Sequence, residues 1–192
     1  MKDPQYSAAT LKGGRVMIDI ETLDTAPTAV VVSIGMSFDS EDGIKSIQWN
    51  LAIGDQVKHG RTIGADTVDW WLKQDKTVWA ANREGEMQPL SALQRFSDAL
   101  FDLYRQNGDK LEIWANGIAF DCVILESLCN TYAVPLPWKY WELRDARTIY
   151  ALGKQLGVDS YQRKDNMAHG AWQDAEYQLR RLKHIESLLD TK

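Results

Sequence analysis

Apolar and polar positions alternate along the chain in ways that mark out its elements. The stretch Val16-Met17-Ile18-Asp19-Ile20-Glu21-Thr22 is apolar up to a polar end, with carboxylates at two alternate positions. In a strand, residues i and i+2 share a face. Asp19 and Glu21 therefore stand side by side, while Met17, Ile18 and Ile20 anchor the strand in a core. So apolar a strand fits the centre of an α/β sheet covered on both faces. Residues 29–38 are β-branched and apolar and predict a second strand. The turn at 39–43 carries Asp42-Gly43, a hairpin pair, and leads into a third, antiparallel strand over residues 44–51.

Helical spacing takes over after a loop at residues 52–63. Residues 65–81, with Val68, Trp70, Trp71, Leu72, Val78 and Trp79, read as one or two short helices. From Pro89, Leu90, Leu93, Phe96, Leu100, Leu103 and Tyr104 recur at helical intervals, and Asn107-Gly108-Asp109 ends the run. Leu111 to Ala115 predicts a fourth strand, Asp121 to Tyr132 a helix, and Glu142 to Arg144 a short fifth strand. Asp145 is placed to cap a helix through Leu152. Residues 153–170 are polar and uneven, and a last helix runs from about Ala171 to Leu189. Residues 1–14 read as an N-terminal lead-in, and residues 15–192 as a single domain without repeats. The order βββ, α, βαβα, α implies an α/β mixed five-stranded sheet flanked by helices. It resembles the order of the ribonuclease H-like fold.

Composition narrows the class. The 192 residues are 44% hydrophobic and 26% charged, ordinary for a globular domain with a core. No apolar run approaches the ~20 residues needed to span a bilayer. The N-terminus has no apolar signal core, so secretion and membrane association are not expected and a cytoplasmic location is. Cys122 and Cys129 would lie about 10 Å apart along one helix, too far for a disulfide; they read as buried thiols of a reducing compartment. The net charge of −5 weighs against a protein that coats duplexes electrostatically. It weighs less against an enzyme whose acids are masked by metal ions.

The acids are the candidate chemistry. Asp19 and Glu21 repel each other and lose hydration, which a hard divalent cation relieves; the plainer reading is a strand running out into a polar turn. Asp121 follows a strand exit through Asn116-Gly117, where α/β sites collect, although it also suits an ordinary helix N-terminus. His169 and Asp174 are five apart, about 140° around a helix. They can act together only with Asp174 on the last helix and His169 on the loop before it. A single histidine is more often structural, but Gly170 and the polar loop favour an exposed imidazole.

Three motifs occur in order: Asp19-x-Glu21, Asn116-x-x-x-Phe120-Asp121, and His169-x-Ala171-x-x-Asp174. Together they resemble the DEDDh 3′–5′ exonuclease superfamily. Thr22, the Trp70-Trp71 pair and the run Trp141-Glu142-Leu143-Arg144-Asp145-Ala146-Arg147 are similar to the phage and prophage exodeoxyribonuclease VIII-like, or Rv2179c-like, branch. The resemblance implies that Asp19, Glu21, Asp121 and Asp174 hold two divalent metal ions, Mg²⁺ or Mn²⁺, with His169 as general base. It implies that Thr22, Leu23, Asn116 and Phe120 contact the substrate, Leu23 as an apolar wedge at the 3′-terminal base. DNA is the expected substrate, degraded from the 3′ end to nucleoside 5′-monophosphates. A 3′–5′ exoribonuclease of the oligoribonuclease kind is the alternative, and a non-catalytic nucleic-acid-binding module the second. Trp70 and Trp71 read as core more than as base-stacking platforms, and Arg144 and Arg147 as phosphate-binding or salt-bridged alike. A homodimer through exposed aromatic segments is a further expectation.

Overall fold

The computed structural model describes residues 11–108, 110–163 and 169–189. The strands are β1 (Leu11–Thr22), β2 (Val31–Ser40), β3 (Gly43–Asn50), β4 (Glu112–Ala115) and β5 (Leu143–Asp145), in the sheet order β3-β2-β1-β4-β5. β1 pairs antiparallel with β2 and parallel with β4, and β5 extends the parallel half. The acidic strand is thus central, as its apolar run requires. It begins at Leu11, inside the stretch read as lead-in, and its register with β2 shifts between Leu11 and Val16.

The helices are α1 (Ile53–Lys58), α2 (Ala65–Trp71), α3 (Lys76–Ala81), α4 (Pro89–Gln106), α5 (Ile118–Thr131), α6 (Ala146–Gln155) and α7 (Ala171–Leu189). Residues 52–63, read as loop, contain α1: a short helix without a side-chain cap leaves no start signal in the sequence. α5 starts one turn earlier than its apolar pattern suggested. Its N-cap is Gly117 at φ 117°, so Asp121 lies in the first turn rather than at the cap. Asp145 caps α6 as expected, accepting from the Arg147 N–H at 2.9 Å. Cys122 and Cys129 are buried free thiols. Among the described residues no helix is long and apolar enough to cross a membrane.

The two faces of β1 are buried differently. Val16, Ile18 and Ile20 enter the main core with Leu93, Phe96, Leu100 and Leu103 of α4 and Ile124, Leu125 and Leu128 of α5. Met17 enters a second core with Ala175, Leu179, Leu182 and Ile185 of α7 and Tyr150 of α6. Asp19 and Glu21 share the face of Met17 and so look toward α7. The same face of β2 carries Ser33, Gly35 and Ser37, small and polar, while Ile34, Met36 and Phe38 fill the main core. Gly35 pairs with Asp19, and a Cβ there would collide with the Ala171 backbone carbonyl. The missing side chain lets the start of α7 lie directly on the sheet beside the acidic strand.

Replacing Gly35 by Ala should therefore push α7 outward and cost about 1–3 kcal/mol, the usual penalty of overpacking. Urea denaturation checks this. Gly54→Ala in α1, where an added Cβ meets open space, is the control and should cost nothing.

Candidate active site

Four acidic side chains from three elements converge at the end of β1. Beyond the last β1–β4 pair, Ile18 with Ala115, the Ile20 N–H donates to Asp121 Oδ1 at 3.2 Å. Asp121 thus takes over where the short β4 stops, and it is only 4% exposed. Gly117 brings it there: an ideal Cβ on Gly117 would sit 2.8 Å from a guanidinium nitrogen of Arg147. Asp19 Oδ1 accepts from Gln178 Nε2 of α7 at 2.7 Å. Glu21 is 8% exposed. Asp174, in the first turn of α7, accepts from Arg163 Nη1 through one oxygen and from the His169 N–H at 3.0 Å through the other.

His169 joins them from the loop side, the arrangement the 140° separation demanded. Its backbone has φ 71°, in the left-handed region. Its carbonyl accepts from Asn82 Nδ2 at 2.8 Å. Its ring stands edge-on to Trp70, with centroids 4.6 Å apart and planes at 88°. One ligand atom each from Glu21, His169 and Asp174 lie within 4.8 Å of one another.

The carboxyls resist ionising together. Burial, followed by the negative charges of Asp121 and Asp174, holds the Asp19 carboxyl well above its ordinary pKa, although the Gln178 bond opposes this. Glu21 is raised by burial and then by Asp19, Asp174 and Asp121. Burial raises Asp121 to about 7, against the bond from the Ile20 N–H and the nearby Arg147. Hard oxygen donors crowded in this way suit a divalent cation, which would favour the ionised form of every one of them.

The substrate-binding candidates are distributed around this cluster. Thr22 is buried; its hydroxyl donates to the Asp24 carbonyl at 2.7 Å and its carbonyl accepts from Trp71 Nε1 at 2.8 Å. Leu23 is 6% exposed and packs with Val30, Val32, Trp71 and Val78. Asn116 is half-buried in the turn after β4, and Phe120 packs half-buried against the main core. The adjacent tryptophans part company: Trp71 is core, whereas Trp70 is 37% exposed beside His169. Arg144 donates to the carbonyls of Trp141 and Leu143, while the guanidinium of Arg147 lies across Gly117 near Asp121. Gln178, Arg163 and Asn82 were not found from sequence. Gln178 lies four residues after Asp174, on the same helix face, which was a usable signal. Asn82 gave none.

A family model described as a 3′–5′ exoribonuclease Rv2179c-like domain matches residues 14–186. The chain belongs to the Rv2179c-like 3′–5′ exoribonuclease domain family. The three acidic motifs lie within the matched span. Among solved structures, cell-death related nuclease 4 (CRN-4) is similar at TM-score 0.61 and 12% identity, over 91% of this chain and 64% of that one. The nuclease domain of 3′hExo, a DEDDh family member bound to rAMP, is similar at TM-score 0.54 and 12% identity, over 92% of both chains. The Rv2179c-like chain thus spans less than two thirds of CRN-4, and at these identities the likeness concerns the ribonuclease H-like fold. No curated protein matches.

The raised carboxyls set a pH dependence. Unfolded carboxyls titrate near pH ~4, whereas folded Asp121 titrates at about 7. Between these values the native state holds more protons than the unfolded one. Stability from this cluster is therefore full below the unfolded value and lost as pH rises through the folded one. Without divalent cation, thermal melts should show the midpoint falling between about pH 5 and pH 8. Mn²⁺ should restore it most at the higher pH, because binding displaces those protons. Asp121→Asn should flatten both trends; an unchanged profile contradicts the assignment.

Proposed function

We propose that the chain is a metal-dependent 3′–5′ exonuclease in which Asp19, Glu21, Asp121 and Asp174 hold two divalent ions, Mg²⁺ or Mn²⁺, and His169 is the general base. The observation that carries this is the convergence of four acidic side chains and one loop-borne imidazole, with three of the carboxyls held above their ordinary pKa by burial. Divalent ions there would supply Lewis-acid stabilisation of charge on the phosphate and its leaving oxygen. The residues do the rest. Gln178 donates to Oδ1 of Asp19 and ties the strand's first acid to α7. Asp121, fixed by the Ile20 N–H, is held in register with β1. Asp174 links the start of α7 to the His169 backbone. The His169 imidazole takes a proton from the attacking water. Water attack on the last phosphodiester then breaks the bond to the 3′ oxygen of the preceding nucleotide. The product is a nucleoside 5′-monophosphate and a strand one residue shorter with a free 3′-hydroxyl.

RNA is the first reading of the substrate, supported by the family's description as an exoribonuclease domain. DNA, expected from the exodeoxyribonuclease VIII-like branch, is the second, supported by the same Trp70-Trp71 and Trp141–Arg147 segments that carry that resemblance. Thr22, Leu23, Asn116 and Phe120 remain the proposed contacts to the terminal nucleotides. For Leu23 this requires its side chain to leave the packing against Trp71.

A panel of 5′-labelled single- and double-stranded RNA and DNA, with Mg²⁺ and with Mn²⁺, tests the reading. The label should shorten stepwise from the 3′ end and nucleoside 5′-monophosphates should be released; internal cuts or no release would contradict it. Asp19→Ala and Asp174→Ala should abolish release while the circular dichroism spectrum is kept. His169→Ala should slow release about 10²–10⁴-fold, the range for a lost general base, with metal affinity retained. Loss of a metal site in that variant would make His169 a ligand instead.

A further inference from the structure

Asn82 lies in the segment between α3 and α4, is 0% exposed, and has every polar capacity of its amide engaged. Its Nδ2 donates to the carbonyls of Val78 at 3.1 Å and His169 at 2.8 Å. Its Oδ1 accepts from the Ser33 hydroxyl at 2.8 Å and from Gln48 Nε2 at 3.3 Å. The two carbonyls can only accept, so the orientation of the amide is fixed by its partners. Ser33 is on β2 and Gln48 on β3; Gln48 also accepts from the Trp172 N–H of α7 at 3.1 Å. The network therefore runs from the rigid sheet to the loop that carries the imidazole.

His169 needs such a hold. A non-glycine residue at φ 71° lies in a sparsely populated region that costs about 1–3 kcal/mol and persists only when its surroundings over-determine it. Among the described residues, three contacts do so. The N–H is bound by Asp174, the C=O by Asn82, and the ring is flanked by Trp70. Of the two backbone contacts, only the one from Asn82 comes from outside the acidic cluster. If it is removed, the backbone is free to relax to an ordinary φ, and the imidazole swings away from Glu21 and Asp174.

We propose that Asn82 is a positioning residue that fixes the His169 backbone, and through it the direction in which the imidazole points. This rests on His169 being the general base. The chain has three histidines, His59, His169 and His184, so the imidazole signals of a histidine-labelled sample can be resolved by NMR. In Asn82→Ala the His169 ring signal should move while those of His59 and His184 stay. The turnover rate should fall about 10²-fold, the scale of a 1 Å misplacement, with KM and Mn²⁺ affinity kept. In the His169→Ala background the same substitution should change the rate by no more than about twofold, because residues acting through one another are not additive. An unmoved His169 signal, or an equal loss in both backgrounds, overturns the proposal. Where Asn82→Ala does not fold, Asn82→Asp, which keeps the shape but exchanges the donating group for an oxygen, is read in the same way. If His169→Ala alone leaves turnover intact, the general-base reading fails, and the NMR signal still reports whether Asn82 holds the loop.

Discussion

Repulsion among buried carboxyls is the constraint on which the rest of this structure depends. Asp19, Glu21 and Asp121 each sit where burial opposes ionisation, and each of the first two is raised further by its acidic neighbours. Such an arrangement is unfavourable for folding and is tolerated because hydrogen bonds and charges are placed around it. Gln178 donates to Asp19, the Ile20 backbone to Asp121, and Arg163 to Asp174. A fold that needed only stability would have placed apolar side chains at these positions. The site is thus a local conflict maintained by a consistent framework, the pattern expected where function overrides packing.

That framework is a matter of close approach. β1 is fixed by two cores, and its acidic face is brought under α7 by the small row Ser33, Gly35 and Ser37 on β2. Ser37 and Gln48 contact the backbone of Trp172, and Ser46 donates to Glu176. The same helix then presents Asp174 and, one turn later, Gln178 to the strand. His169 is drawn in from the preceding loop by contacts at both of its backbone polar groups. Trp70 flanks its ring while neighbouring Trp71 closes the small core around Leu23.

Much of this was legible in the chain. The alternation around Asp19 and Glu21 marks a central strand with an acidic face, because strand geometry leaves no other arrangement. Asp121 and Asp174 were ambiguous by position alone, each suiting an ordinary helix start, and stood out only through the ordered motifs that resemble the DEDDh pattern; the angular argument put His169 on the loop if it acts with Asp174. Local signals failed where the structure does not use them. α1 has no capping side chain, and α5 begins on a left-handed glycine instead of the usual polar cap. Asn82 was illegible for a different reason: it contacts His169 across 87 positions in sequence, and nothing around it distinguishes it from an ordinary helix-end asparagine. Sequence also could not separate Trp70 from Trp71, since adjacent residues of a short helix differ only in the direction they face.

The proposed active site requires an acidic cluster that divalent ions neutralise. Calorimetric titration of Mn²⁺ into the protein, repeated in buffers of different ionisation heat, tests it most directly. Saturable binding of about two ions with net proton release is expected, since ligands must be deprotonated to bind. Asp19→Asn should lose both the binding and the released protons. Absence of saturable binding in the folded protein, or binding that Asp19→Asn leaves intact, would contradict it.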